Sequence, residues 1–190
     1  ILTVSGSCTN GQLEQGAYAT SYIPTTSSTV TRNRDLASVS SVSSLIGQTE
    51  GVMFVESSAL FNDLTARLVA ISDGTSNNRI VLIYNNATNM IATAMISNAV
   101  TIIPNINYTI TDETQFIKMA VRYSNTLGVS LWINGVNRGS SLLNTLPISM
   151  NRFSFDGGSP ANVPFFAKVK SAQLYKTYLT DAEMTSLTTL

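Results

Sequence analysis

The segment "DGTSNN" (73–78) brings Asp73, Asn77 and Asn78 into one short stretch of chain. A carboxylate and two amides supply the oxygen ligands that hard cations take, so calcium is the one cofactor these residues would suit. The same residues are an ordinary choice for a turn, in which Asp bonds its own backbone and Gly accepts a positive φ. Asp156, just before "GGSP", poses the same alternative. No loop carries an EF-hand spacing or a dense run of Asp. Outside this calcium reading, no cofactor is expected.

Acid–base chemistry has less to work with. Glycoside hydrolysis needs two carboxyls, about 5–5.5 Å apart for retention or about 6.5–9.5 Å for inversion. The chain has eleven carboxylates. Glu50 and Glu56 would share a strand face, but roughly 20 Å apart at the usual rise. Asp112 and Glu113 are adjacent and would point to opposite faces, while Asp181 and Glu183 belong to a helix start. Histidine is absent, which removes the commonest general base and the commonest transition-metal ligand. The single cysteine, Cys8, cannot form an intrachain disulfide and reads as an ordinary thiol. No enzyme is expected.

Binding chemistry is better represented. Trp132 is the lone tryptophan, with Asn134 two residues on and Arg122 on the preceding strand. An exposed indole beside an amide and a guanidinium would form a platform for a sugar ring. A sheet covered on both faces would make the same Trp132 a core residue.

Composition narrows the partners. The 190 residues carry no net charge and only 12% are charged, so no basic surplus exists to neutralise nucleic-acid phosphates. No apolar run approaches the ~20 residues of a membrane helix. Neither nucleic acid nor a membrane is an expected partner.

The elements that must position these residues are mostly strands. "GVMFVE" (51–56), "RLVAIS" (67–72), "RIVLIY" (79–84) and "MIATAMI" (90–96) are short, apolar and rich in β-branched residues. "DGTSNN" joins the second and third as a hairpin. "YTI" (108–110) precedes a polar break. In "FIKMAVRY" (116–123), Ile117, Met119, Val121 and Tyr123 alternate with Phe116, Lys118, Ala120 and Arg122, predicting a strand with one solvated face. "GVSLWING" (128–135) sends Val129, Leu131 and Ile133 inward and Trp132 to the opposite side. Its "NG" is a hairpin signal, after which "NRGSS" resumes. "RFSF" (152–155) and "FFAKVKSAQLYK" (165–176) complete the strands. One of the paired Phe165 and Phe166 should be buried, and the other, if exposed, would mark a subunit contact. Thr180 and Glu183 form a capping box, so a short helix is expected to seal one end of the core.

Together these predict an all-β, antiparallel two-sheet jelly-roll sandwich with one short C-terminal helical turn. "FIKMAVRYSNTLGVSLWINGVNRGS" and "AKVKSAQLYKTYLTDAEMTSL" resemble laminin-G-like, concanavalin A-like jelly-roll modules, through the strand ending in "NG" and through Tyr175, Leu179, Thr180, Glu183 and Leu187. That resemblance covers residues 36–190. Glucanases on this fold carry a Glu-x-Asp-x-x-Glu cluster, which is absent here.

The segment "QLEQGAYATSYIPTTSSTVTRNRD" (12–35) is similar to a junction recurring in bacteriophage tail-fibre and other virion proteins. There it looks like the last strand of one module leading into a laminin-G-like one. Pro24 should end strand pairing, and the Ser/Thr run beyond it has no apolar face. Residues 1–35 are therefore expected to be an extended attachment segment, with Leu13, Tyr18, Tyr22, Ile23 and Pro24 making its contacts. The resemblance implies a particle-surface location, other virion proteins and copies of itself as partners, and a host glycan as ligand. A free carbohydrate-binding module of a secreted protein is the alternative.

Overall fold

The computed structural model describes residues 6–7, 9, 11–13, 21–25, 27–31, 36–142, 145–160, 163 and 165–190. The chain divides into two units, Ile1–Asp35 and Leu36–Leu190. In the first, the described residues carry no strand or helix. The Ile23 amide donates to Gln12 Oε1 at 2.7 Å, which holds these two positions side by side. Leu13, Tyr22 and Pro24 are exposed and Ile23 is half-buried. Tyr18, Cys8 and most of the strand expected from Gln12 onward lie outside the described residues.

Among its described residues the second unit has eleven strands and one helix. They are β1 (Ser38–Val39), β2 (Glu50–Ala59), β3 (Arg67–Ser72), β4 (Arg79–Tyr84), β5 (Met90–Ser97) and β6 (Val100–Thr109), then β7 (Ile117–Ser124), β8 (Gly128–Ile133), β9 (Val136–Ser141), β10 (Arg152–Ser154), β11 (Ala167–Tyr175) and α1 (Asp181–Thr188). A six-stranded sheet runs β1-β10-β3-β4-β5-β6, and a five-stranded sheet runs β11-β2-β7-β8-β9. Every pairing is antiparallel. This is the expected two-sheet jelly-roll sandwich. Strand β6 is much longer than the "YTI" that signalled it; Pro104 and the asparagines at 105 and 107 break up its strand signal.

The core between the sheets follows from the period of two along each strand. Val69, Ile71, Ile80, Leu82, Tyr84 and Ile91 face Met53, Val55, Met119, Val121, Tyr123 and Leu131. The opposite faces are apolar as well. Leu68, Ala70, Val81, Ile83, Ala92 and Ala94 cluster behind the six-stranded sheet, with Val163 packed against them. Val52, Phe54, Ala120 and Trp132 cluster with Met184 behind the five-stranded sheet.

That last cluster corrects two expectations. The face of β7 carrying Ala120 and Arg122 is buried instead of solvated. Helix α1 does not seal an end of the sandwich; Met184 and Leu187 lie on the outer face of the five-stranded sheet. Its start is the expected capping box, with Glu183 N donating to Thr180 Oγ1 at 3.3 Å and Thr180 N donating to Glu183 Oε2 at 2.7 Å. The helix stays because Met184 is fully buried against Trp132 and Phe54.

Candidate functional site

The outer face of the five-stranded sheet does not offer the platform predicted for Trp132 and Arg122. Trp132 is only 4% exposed, and its Nε1 donates to Ser130 Oγ at 3.0 Å. The Arg122 guanidinium lies over two aromatic rings, 4.2 Å from the Tyr178 centroid and 5.3 Å from that of Trp132. Its Nη1 donates to the Leu179 carbonyl at 2.8 Å and to Asp181 Oδ1 at 2.7 Å. The guanidinium therefore fastens the C-terminal segment over the sheet. Alternation placed Trp132 on the correct side of β8, but that side is occupied by the chain's own helix.

The 73–78 loop is likewise closed on itself. Asp73 Oδ1 accepts from the Thr75 amide at 2.8 Å and the Thr75 hydroxyl at 2.6 Å, and Oδ2 accepts from Asn78 Nδ2 at 2.9 Å. Burial pushes the Asp73 carboxyl up, but these hydrogen bonds outweigh it and hold the group below its ordinary value. Asn78 Oδ1 accepts from the Asn98 amide at 3.0 Å, and the Asn77 amide donates to Thr75 Oγ1 at 3.1 Å. The Asp73 oxygens expected to meet calcium meet the loop's own donors, the turn chemistry of an Asx residue, and Asn78 Oδ1 meets the Asn98 amide. Asp156 is buried and takes a bidentate contact from Arg152, at 2.9 Å and 2.6 Å. Among the described residues, no three Cys, Asp or Glu side chains converge.

Asn134 stands apart from its two predicted companions. It occupies the β8–β9 turn with φ of 48°, followed by Gly135 at 81°, the positive pair that a two-residue primed hairpin turn requires. Its Oδ1 accepts from the Lys118 amide at 3.0 Å. The Gly135 amide donates to Thr188 Oγ1 at 3.1 Å, so the end of α1 pins the turn. The pinned turn forms one wall of a cleft of about 240 Å³, lined by Tyr108, Thr109, Ile110, Thr111, Ile133, Asn134 and Arg138. The cleft sits where edge strand β6 of one sheet meets edge strand β9 of the other. Gly139 permits that approach: a Cβ there would lie 2.5 Å from Ile106 Cγ2.

Arg138 and Tyr108 are the cleft residues that sequence reasoning missed. Their signal was Gly139 inside the strand "NRGSS", since an isolated glycine in a strand marks a bulge or a close backbone approach. The guanidinium carbon of Arg138 lies 4.3 Å from the Tyr108 ring centroid. Among the described residues, neither the Tyr108 hydroxyl nor the Asn134 Nδ2 amide has a hydrogen-bond partner. Tyr108, Thr109, Thr111, Asn134 and Arg138 are thus the polar residues among those that line one open volume.

The described carboxylates are held elsewhere. Asp63 pairs with Arg67, Glu56 with Lys170, Asp181 with Arg122 and Asp156 with Arg152. Asp112 accepts from Thr114, Glu50 accepts from the Tyr178 amide, and Glu183 caps α1. Glu113 is 2% exposed, and its Oε2 has no partner among the described residues. None of these carboxylates lines the cleft.

No family model matches the chain, and no curated protein matches it by sequence. Solved structures do resemble it. The CBM40 module of the Ruminococcus gnavus IT-sialidase, bound to α2,3 sialyllactose, superposes with a TM-score of 0.61 at 14% identity, over 75% of this chain and 84% of that one. The binding domain of botulinum neurotoxin serotype G gives 0.60 at 13%, over 79% of this chain and 39% of that one. A leech intramolecular trans-sialidase in complex with 2,7-anhydro-Neu5Ac gives 0.58 at 12%, over 75% and 23%. The molecule belongs to the structural class of jelly-roll sandwiches that includes the carbohydrate-binding modules of sialidases. At these identities the likeness is one of fold.

Proposed function

We propose that this protein is a non-enzymatic glycan-binding module, with its site in the cleft between β6 and the β8–β9 hairpin. The observation that carries the reading is the cleft itself. Elsewhere the predicted polar sites are spent on internal contacts, whereas here the polar residues Tyr108, Thr109, Thr111, Asn134 and Arg138 line an open volume. Hydroxyls and amides fixed on rigid strands are what orient a sugar's hydroxyls. The fold supports the reading, since similar modules were solved with sialyllactose bound. Engagement of most described carboxylates in structural contacts, with Glu113 buried away from the cleft lining, speaks for binding over hydrolysis.

The setting we propose is the surface of a phage particle, with residues 1–35 as the attachment segment and further copies of the chain as neighbours. The support is the likeness of "QLEQGAYATSYIPT" to virion junction segments, together with the exposed Leu13, Tyr22 and Pro24. A free module of a secreted protein is the competing setting, and co-sedimentation with particles separates the two. The binding reading is tested by screening the full chain on a glycan array and mapping amide shift changes with a bound glycan. Changes are expected at 108–111 and 133–138. Absence of binding on the array, or changes confined to the Trp132 face, would reject it.

A further inference from the structure

Building on the glycan-binding reading, we propose that the cleft takes an acidic sugar, whose anionic group is received by the Arg138 guanidinium. In the β8–β9 ladder, Ile133 pairs with Val136 and Trp132 with Asn137, but Leu131 pairs with Gly139. Arg138 is therefore the extra residue of a β-bulge. Bulges break the inward–outward alternation and re-aim a side chain, and they recur beside functional sites. Here the bulge residue's guanidinium lies over the ring of Tyr108, within cation–π range.

The other described arginines show what Arg138 lacks. Arg67, Arg122 and Arg152 each hold a carboxylate, and Arg79 donates to the Gly157 carbonyl. Arg138 has no ion pair or hydrogen bond among the described residues; its Nε is buried without an acceptor, as is that of Arg79. With no carboxylate paired to it, the Arg138 charge is left for an incoming anion. The carboxylates nearest along the chain to the cleft do not fill the role. Asp112 accepts from Thr114 and Gln115, and Glu113 is buried. The planar fork of a guanidinium matches two oxygens of one anion, so a sugar carboxylate or a sugar sulfate fits it. A cleft of about 240 Å³ lies just below the usual range of small-molecule sites, room for one ring-sized acidic residue and not a long chain.

The test is calorimetric titration of the full chain with α2,3 sialyllactose, sulfated lactose and lactose. Charged probes are expected to bind more tightly than lactose, with an affinity that falls as salt rises. Arg138→Gln should weaken the charged probes by about ten- to a hundredfold and lactose by far less, so that the preference for charge is lost. Arg138→Lys, which keeps the charge but not the fork, should fall between. Which charged probe binds identifies the anion. Equal binding of lactose and the charged probes, unaltered by Arg138→Gln, overturns the acidic-sugar assignment while sparing the glycan-binding reading. No binding of any sugar, here or on an array, overturns that reading and this inference with it. Far-UV circular dichroism checks the fold of each variant. Should Arg138→Gln unfold, wild-type affinity in Arg138→Lys overturns the fork.

Discussion

Trp132 shows how one side chain changes role once its surroundings are known. As a sugar platform its loss would abolish binding and spare the fold. In the structure it is a core residue, touching Phe54, Ala120 and Met184 under α1. Trp132→Ala should therefore cost about 3–5 kcal/mol in a urea melt, while the folded fraction keeps its affinity for glycan. Unchanged stability with lost binding would restore the platform. Glu113 gives the second prediction at this scale. Burial pushes its carboxyl above the ordinary 4.5, the neighbouring Asp63 and Asp112 push the same way, and Arg67 and the Asn89 hydrogen bond only partly offset this. The folded state then holds a proton that the unfolded chain releases near that ordinary value. Stability must fall as pH rises through the window above it, and level off once the folded carboxyl has also ionised. Glu113→Gln removes the group that must ionise. The variant should melt higher than wild type at pH 7 and lose that advantage near pH 4. An equal advantage at both pH values would assign the effect to packing.

At the scale of elements, legibility followed burial. Strands β3 and β4 match the segments predicted at 67–72 and 79–84, because apolar β-branched runs bounded by turn residues have few alternative structures. The Asn134-Gly135 turn and the Thr180–Glu183 capping box were equally readable, since each is fixed by a local hydrogen-bonding or φ requirement. What the sequence could not disclose was coverage. Alternation assigns two faces to β7 and β8 but does not say what lies on each, and a helix that begins forty-nine positions after Trp132 decides it. Strand β6 was half hidden because Pro104, Asn105 and Asn107 interrupt its β-branched run, which the sheet carries through them by pairing with β5. The cleft was hardest to read. Tyr108 and Arg138 are thirty positions apart on different sheets, and only the β9 bulge brings them together. The edges follow a common logic: β1 is two residues long, β6 contains Pro104 and pairs irregularly, β9 is bulged, and β11 carries Lys168 and a bulge at Lys170. Each device discourages pairing with a foreign strand. On β9 the same device also aims the proposed ligand-binding arginine.

For the whole molecule, the pairing order sets how the fold must be reached. The five-stranded sheet closes only when β11 joins β2, with Val52 opposite Tyr175 and Ala59 opposite Ala167. The six-stranded sheet needs β10 between β1 and β3, with Arg152 opposite Ser72. Both sheets therefore wait for the last third of the chain, and the cleft waits with them, since its turn is pinned by Thr188. Closing such long loops loses chain entropy before the contacts that compensate for it can form. Refolding from urea, followed by Trp132 fluorescence, should accordingly take milliseconds to seconds, as in other sandwiches dominated by non-local pairing. Because Trp132 becomes buried only when α1 docks, its signal should report completion of the outer layer and not early collapse. Full recovery of the native fluorescence within about a hundred microseconds would mean that local contacts suffice, contrary to the topology.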